Sequence, residues 1–191
     1  MTDGGILVGT DGVSRCPWAG SSTDYIAYHD EEWGKPVHDE HGLYERLMLE
    51  AFQSGLSWIT ILRKREAFRE AFEGFDPNKV SAFGDDDIER LMLNVGIVRN
   101  RQKIVAAIRN AKATVEIRPL GGLSDLIWSH QPEEKPAPIS VHEVPAVTPE
   151  SIALAKSLKK AGFVFVGPTT AYAMMQAIGM VNDHLADCVA R

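Results

Sequence analysis

Apolar residues recur every three to four positions along most of this chain, and that spacing predicts helices rather than strands. Within 39–54 the pattern places Leu43, Leu47 and Glu50 on one helical face. Further helices are expected over 57–73, 85–94, 99–116, 149–161, 172–178 and 182–190. The sequence therefore predicts an all-α fold.

The size and charge of the chain narrow its possible roles. With 191 residues, of which 45% are apolar, it can bury one core or two small lobes that share one. The net charge of -6 argues against broad coating of nucleic acid, which needs a basic surface. The sequence contains no apolar run long enough for a membrane span and begins without the features of a signal peptide, so a cytoplasmic location is expected.

Cysteine is scarce, and its two copies lie near opposite ends of the chain. In a reducing compartment a disulfide between Cys16 and Cys188 is not expected, which leaves inert thiols or metal ligands. His184 precedes Cys188 by four positions, so on a helix both would share one face. Cys16 and His29 could complete the closed tetrahedral ligand set of one structural zinc ion. The pattern alone leaves both interpretations open.

Aromatic residues and one carboxylate concentrate in the first third of the chain. The aromatics are Trp18, Tyr25, Tyr28, Trp33, Tyr44 and Trp58. Such side chains usually build a core, but here they flank Glu50, which falls on a helix face that is otherwise apolar. Burying a carboxylate is costly unless it is paired or hydrogen-bonded. Glu50 therefore either faces solvent at a helix edge or points inward, where a bound ligand could supply its partner.

The segment 91–101 is typical of two helices joined by a tight turn that contains Gly96. In a helix-hairpin-helix module, backbone N–H groups of the turn and of the second helix hold DNA phosphates, with cations nearby. Arg99, Arg101 and Lys103 follow the glycine and would supply those cations. An ordinary helical hairpin with a solvated basic face is the alternative, because the fuller motif has a second glycine.

Several long motifs, which occur in order, resemble those of the bacterial 3-methyladenine DNA glycosylase I family. They are YIAYHDEEWG at 25–34, Glu50, GLSWIT at 55–60, GIVRNRQKI at 96–104, GFVFV at 162–166, MQA at 175–177 and VNDH at 181–184. The resemblance runs from about Cys16 to Cys188. It implies a single unit over residues 16–191, with two helical lobes and a hairpin at about 91–103, behind a disordered extension over residues 1–15.

The resemblance also implies a fold, a metal and an activity. The family belongs to the helix-hairpin-helix glycosylase superfamily and binds one structural Zn²⁺. The chain would act as a monomer on double-stranded DNA, flip out 3-methyladenine and hydrolyse its glycosidic bond as a monofunctional enzyme of base-excision repair. The implied roles are zinc binding by Cys16, His29, His184 and Cys188; catalysis by Glu50; base binding by Tyr28, Trp58, Trp18, Tyr25 and Gln53; and DNA binding by Gly96, Arg99, Arg101 and Lys103.

Three other functions compete with this one. A bifunctional glycosylase with lyase activity would use Lys103 as the amine that forms a Schiff base. A non-catalytic, zinc-stabilised module could use the aromatic cage to bind a methylated cation such as methyl-lysine. A catalytic zinc hydrolase is the third, and a fully liganded metal would exclude it. Asp125 is not expected to be catalytic, because the family lacks the catalytic aspartate of its relatives, and segment 127–132 is shorter than the family's usual version.

Overall fold

The computed structural model describes residues 4–191 and consists almost entirely of helices. The α-helices of this range are α1 Thr23–Glu31, α2 Glu40–Gln53, α3 Trp58–Ala71, α4 Pro77–Ser81, α5 Asp85–Leu93, α6 Arg101–Glu116, α7 Gly122–Trp128, α8 Pro149–Lys160 and α9 Pro168–Ala177. Strands β1 (Leu7–Val8) and β2 (Ser14–Arg15) form a small antiparallel ladder. The predicted helical class is confirmed, and none of the helices described could cross a membrane.

Helix α2 lies at the centre of the core, because its apolar face is wide enough to contact neighbours on several sides. It packs against α3, α6, α7 and α9, and Leu43 and Leu47 are fully buried there. Tyr44 is equally buried and donates its hydroxyl hydrogen bond to the Ala107 carbonyl at 2.8 Å, which satisfies its polar end. Glu50 is buried on the same helix, so its inward orientation is the one the fold adopts.

Local side chains fix where two of the later helices begin. Asn100 accepts a hydrogen bond from the Lys103 backbone N–H at 3.2 Å and so caps the N-terminus of α6. Thr148 and Ser151 exchange side-chain and backbone hydrogen bonds in the first turn of α8, where Pro149 is the first helical residue. The cap-then-proline order at this helix start, visible in the sequence, is thereby confirmed.

The N-terminal segment differs from the expected disordered extension. Residues 4–15 fold back as the β1–β2 hairpin, in which Leu7 pairs with Arg15. The Gly4 carbonyl accepts a hydrogen bond from the Val141 N–H at 2.9 Å, and Arg15 is buried against Asp30. This ion pair and the contact with Val141 fasten both ends of the hairpin to the rest of the fold. The part of that expectation covering residues 1–3 lies outside the described residues.

The C-terminal segment differs from its predicted structure. The structure contains no helix over 182–190, although that stretch was predicted to be helical. A series of turns replaces it: the Cys188 N–H bonds to the Leu185 carbonyl, and the Val189 N–H bonds to the Ser14 carbonyl, both at 2.9 Å. His184 and Cys188 therefore face each other through a turn that is fastened to the N-terminal strand, rather than through helical spacing.

Candidate functional site

A cavity of about 370 Å³ opens between α1, α2, α3 and α9, and we call it the aromatic cavity. Its lining comprises Cys16, Trp18, Tyr25, Tyr28, Trp33, Glu50, Gln53, Trp58, Val141, Val144, Ala173, Gln176, Asp183 and Leu185. Glu50 and the five residues expected to bind a base are therefore brought together, although they are spread over 41 positions from Trp18 to Trp58.

The aromatic side chains of the cavity pack mainly edge to face, which leaves ring faces available to a ligand. Trp18 is T-shaped against Tyr25, with ring centroids 5.7 Å apart, and against Trp33 at 5.1 Å. Tyr28 and Trp58 meet at 5.4 Å and an interplanar angle of 44°. Their rings thus form a tilted pair beside Glu50 rather than a closed stack.

Glu50 is the unusual residue in this cavity, because it is a carboxylic acid that is only 7% exposed and lies on the core-facing part of α2. Burial raises the pKa of Glu50 to about 8. Within residues 4–191 its side chain has neither a hydrogen-bond donor nor a basic partner within bonding distance. An arrangement of this kind is costly, so the fold holds a carboxyl that a bound donor or cation would stabilise.

Trp58 provides a second group without a partner. Its indole Nε1 is buried and makes no hydrogen bond to any described residue. Buried indole N–H groups usually have an acceptor. By contrast, Tyr25 is engaged, because its hydroxyl accepts a hydrogen bond from the Ile59 N–H at 3.0 Å. The aromatic cavity is therefore lined by one residue whose carboxyl lacks a partner and by another whose indole N–H lacks one.

The four predicted metal ligands meet beside the aromatic cavity and form what we call the Cys/His cluster. Their ligand atoms all lie within 4.8 Å of one another, and all four side chains are buried. The Nδ1 atom of His184 lies 3.2 Å from Nε2 of His29, 3.5 Å from Sγ of Cys188 and 3.8 Å from Sγ of Cys16. Tetrahedral zinc with ordinary bond lengths requires separations of roughly 3.3 to 3.8 Å between its ligand atoms.

Outer contacts orient both imidazoles of the Cys/His cluster. Nδ1 of His29 lies 2.7 Å from an Asp30 carboxylate oxygen, and Nε2 of His184 lies 3.1 Å from the Trp33 carbonyl oxygen. These acceptors leave the opposite ring nitrogen of each histidine turned toward the cluster, as in metal sites whose histidines are held by a carboxylate or carbonyl. The donor set and its geometry therefore fit a metal ion.

The model of one protein family, described as methyladenine glycosylase, matches residues 18–191, which is nearly the whole chain. The chain belongs to the methyladenine glycosylase family. It is accordingly a DNA glycosylase, an enzyme of the class that hydrolyses N-glycosyl bonds. The resemblance drawn from the sequence motifs is thereby confirmed.

The sequences of known relatives align with this chain over almost their full length. The chain is 50% identical to the DNA-3-methyladenine glycosylase of Haemophilus influenzae and 48% identical to DNA-3-methyladenine glycosylase 1 of Escherichia coli. Each alignment spans 92% of this chain, and it covers 97% and 96% of the two relatives. A crystal structure of a 3-methyladenine DNA glycosylase I superimposes with a TM-score of 0.89 at 46% identity, covering 93% of this chain and 99% of that one.

A structure concerned with 3-methyladenine recognition is also similar. It is that of the 3-methyladenine DNA glycosylase I from Staphylococcus aureus, with a TM-score of 0.85 and 36% identity over 92% of this chain and 95% of that one. The family model spans residues 18–191, and every lining residue of the aromatic cavity except Cys16 falls within that range.

The predicted DNA-binding residues of this family member do not share one environment. Gly96 donates its N–H to the Asn94 side chain at 2.8 Å, and its carbonyl accepts a hydrogen bond from Lys64 at 3.2 Å. Arg99 is exposed, and Arg101 is exposed but pairs with Glu89 on α5 at 2.7 Å. The Gly96 peptide groups are therefore occupied within the protein, while the two arginines reach solvent.

The prediction that Lys103 contacts DNA is wrong for this structure. Its side chain is buried, and its ammonium donates hydrogen bonds to the carbonyls of Phe52 at 2.8 Å and Ser54 at 2.6 Å. Position 103 falls on the inward face of α6, next to Ile104 in the core, which explains why a residue from a basic run turns away from solvent. It is not an exposed phosphate contact in this structure.

A second helical hairpin, between α8 and α9, escaped the sequence analysis. Its connection contains Gly162, which adopts a φ of +94°, and Gly167, which precedes the first residue of α9. No side chain caps α9, and Lys159 and Lys160 are exposed at the end of α8. The two glycines are visible in the sequence, but the stretch between them is apolar and carries no basic residue that would mark a DNA-binding turn.

The cavity wall also contains residues for which the sequence predicted no base-binding role. Trp33, Gln176 and Asp183 line it, and the Gln176 side chain donates a hydrogen bond to Asp183 at 2.9 Å. Gln176 and Asp183 lie within the quoted MQA and VNDH motifs, which was the only signal for them. Asp125 is exposed and does not line the cavity, and Gln131 and Pro132 border a separate cleft.

Proposed function

We propose that this chain is a monofunctional base-excision repair enzyme that releases 3-methyladenine from alkylated double-stranded DNA. The observation that carries the proposal is the buried Glu50 carboxyl, which has no partner among the described residues and shares the aromatic cavity with the unpartnered Trp58 N–H. A methylated purine supplies what both groups lack: an amine donor for the carboxylate, an acceptor nitrogen for the indole, and positive charge.

Recognition would depend on the charge of the damaged base. Alkylation at N3 makes adenine cationic, and a desolvated cation beside aromatic faces gains about 0.5 to 2 kcal/mol or more. The faces of Tyr28 and Trp58 can provide this, while Glu50 accepts hydrogen bonds from the exocyclic amine and offsets the charge. Neutral adenine brings no charge to stabilise the ionised form of Glu50, whose burial alone is costly, so the cavity discriminates against it.

Catalysis would follow from base flipping. Extrusion of the nucleotide costs a few kcal/mol and costs least for damaged bases, which stack and pair poorly. In the cavity, the C1′–N9 bond breaks and its electron pair neutralises the cationic purine, which departs as neutral 3-methyladenine. Water adds to C1′ and loses a proton to solvent, leaving an abasic site. Glu50 holds the base throughout, and because the leaving group is good, the reaction does not depend on a strong general base.

We propose that the Cys/His cluster binds one structural zinc ion through Cys16, His29, His184 and Cys188. Two thiolates and two imidazoles are a common zinc ligand set, and four protein ligands leave no open position for a reacting water. When bound, the ion supplies cross-linking rather than chemistry. It would join the two ends of the unit that spans residues 16–191, and the enzyme would act as a monomer.

Contact with DNA would involve both helical hairpins of this helix-hairpin-helix enzyme. The α8–α9 turn offers the uncapped N-terminus of α9, whose first-turn N–H groups suit a phosphate, together with Lys159 and Lys160. The turn that contains Gly96 contributes Arg99 and Arg101 on the protein surface. Phosphate contacts at these two places would position the duplex, while the aromatic cavity selects the base.

The decisive experiment incubates the protein with methylated duplex DNA and identifies the released bases by chromatography. Release of 3-methyladenine with 7-methylguanine left in place supports the proposal. If no base is released by a folded, zinc-loaded sample that binds methyl-lysine peptides, the chain is instead a binding module. Borohydride trapping of a covalent DNA complex would instead indicate a bifunctional enzyme with lyase activity.

A further inference from the structure

Lys103 is a buried cation that the proposed reaction does not use. Its side chain is 6% exposed, and burial lowers the pKa of its ammonium. No carboxylate of residues 4–191 forms an ion pair with it. Its two partners are the carbonyls of Phe52 and Ser54, at 2.8 and 2.6 Å, and the Phe165 ring lies 6.0 Å away.

These two carbonyls lie at the C-terminal end of α2, in a stretch of chain that also carries lining residues of the aromatic cavity. Glu50 and Gln53, both lining residues, lie in the last turn of α2, and Trp58, also a lining residue, begins α3. The last carbonyls of a helix have no partner within the helix, and a cation is favourable at that end. Lys103 therefore fastens the short α2–α3 connection from a third helix, α6.

We infer that Lys103 is a positioning residue of the base-binding site: it acts through the α2–α3 connection to hold Glu50 and Trp58 at the separation that a base requires. This inference rests on the function proposed above. Without the ammonium, the carbonyls of Phe52 and Ser54 would lose their donors and turn toward water. That change would move the connection and, with it, the orientation of Trp58 relative to Glu50.

Two other roles for this lysine conflict with its surroundings. A phosphate contact requires an exposed ammonium, and this one is enclosed by backbone. A Schiff-base amine requires a free lone pair aimed at the sugar, whereas the hydrogens of this nitrogen are donated to two carbonyls. The three roles predict different effects of one substitution, so they can be separated.

The test compares wild-type protein with K103M, which keeps the length of the side chain but removes its donors. K112M is the matched control, because Lys112 lies exposed on the same helix. Binding of free 3-methyladenine is followed by tryptophan fluorescence, and DNA affinity is measured over a series of salt concentrations. We expect K103M to weaken base binding about tenfold, close to the loss of one hydrogen bond to a charged group, with K112M unchanged.

The kinetic signature separates positioning from a general loss of stability. With methylated DNA, we expect K103M to lower kcat by about tenfold and to change KM little, measured well below the melting temperature of each variant. K103Q retains one amide donor and is expected to fall between wild type and K103M. If K103M does not fold, the comparison of K103Q with K112M decides the same point.

Three results would overturn the inference. The first is that K103M or K103Q matches K112M in both base affinity and kcat. Lys103 would then not position the base-binding residues. A drop of about one in the salt slope of DNA binding would make Lys103 a phosphate contact. A borohydride-trapped complex in wild type that K103M abolishes would make it a nucleophile. If wild-type protein itself neither binds nor releases 3-methyladenine, the proposed function fails first, and with it the inference.

Discussion

The Cys/His cluster and the aromatic cavity are adjacent, and both contain buried polar groups. They differ in whether those groups have partners within the protein. Trp18 contacts both, with its ring centroid 5.1 Å from that of His29 and 5.7 Å from that of Tyr25. In the cluster, four ligand atoms lie within 4.8 Å of one another, and the outer ring nitrogen of each histidine is hydrogen-bonded. In the cavity, the carboxyl of Glu50 and the indole N–H of Trp58 have no hydrogen-bond partner among the described residues.

This difference supports the separate roles proposed above for the two sites. A cluster whose ligands all come from the protein needs only an ion, and it then acts as a cross-link between distant parts of the chain. A cavity that keeps a buried acid and a buried donor without partners sacrifices stability for recognition, because the missing partners arrive with the ligand. Function should therefore be sensitive to Glu50, and stability to Cys188.

The largest effect is expected on catalysis from Glu50→Gln. We expect base release from methylated DNA to fall by about 100-fold, because the amide neither carries the charge that offsets the cationic base nor accepts through two oxygens. The measurement is single-turnover release of 3-methyladenine by chromatography. E70Q is the control, since it removes a carboxylate that is exposed on α3. A release rate for E50Q within threefold of wild type would remove Glu50 from the site.

The second prediction concerns stability and uses Cys188→Ser. Loss of one ligand should release the metal and lower the melting temperature by roughly 10 °C, equivalent to about 3–5 kcal/mol in a protein of this size. Calorimetry with parallel metal analysis measures both changes. Chelator should lower the melting temperature of wild type by a similar amount and leave C188S unaffected. An unchanged melting temperature with complete loss of metal would show that the cluster does not stabilise the fold.

The sequence was most informative where distant residues had complementary chemistry. Two cysteines and two histidines suggested one metal site, and Glu50 on an apolar face suggested a carboxyl that lacks a partner. The route by which His184 meets Cys188 was predicted wrongly, because four-residue spacing fits a helix and a turn equally well. Lys103 was misplaced for a related reason: its neighbours in sequence are basic, but only the direction of its side chain from α6 decides its surroundings.

The contribution of α9 to the cavity lay beyond sequence patterns. Ala173 and Gln176 reach the wall only because α9 packs against α2, more than 100 residues earlier in the chain. Periodicity identifies which face of a helix is buried, but it does not say against which partner. The family resemblance identified the MQA motif without saying where its residues lie. The tertiary structure places Gln176 of this motif in the cavity wall.

The third prediction is a pH effect that separates the two sites. Glu50 binds a proton up to a pKa of about 8 in the folded protein, against an ordinary value of 4.5. Between these values the folded state holds one more proton than the unfolded state, so stability falls as pH rises through this window. E50Q lacks this loss and should melt at least about 5 °C higher than wild type at pH 9, with no difference at pH 4.

Thermal melting of wild type and E50Q across pH 4 to 9 checks this prediction. E70Q is again the control, because an exposed carboxyl has nearly the same environment in both states. Wild-type and E50Q curves that run parallel over the whole range would mean that Glu50 ionises normally. Burial of Glu50 would then not destabilise the folded protein, contrary to the comparison of the two sites.

The smallest effect is expected from Trp58→Phe, which keeps the ring but removes the unpartnered N–H. If that N–H awaits an acceptor on the base, free 3-methyladenine should bind about three- to tenfold more weakly, which corresponds to one neutral hydrogen bond. In the absence of ligand, W58F should be as stable as wild type or slightly more stable, since a buried donor without a partner disappears. The control W128F removes an indole N–H that is already bonded to the Val37 carbonyl, so it should lose stability and keep base affinity. Equal base affinity in W58F and wild type would leave Glu50 as the only recognising group in the cavity.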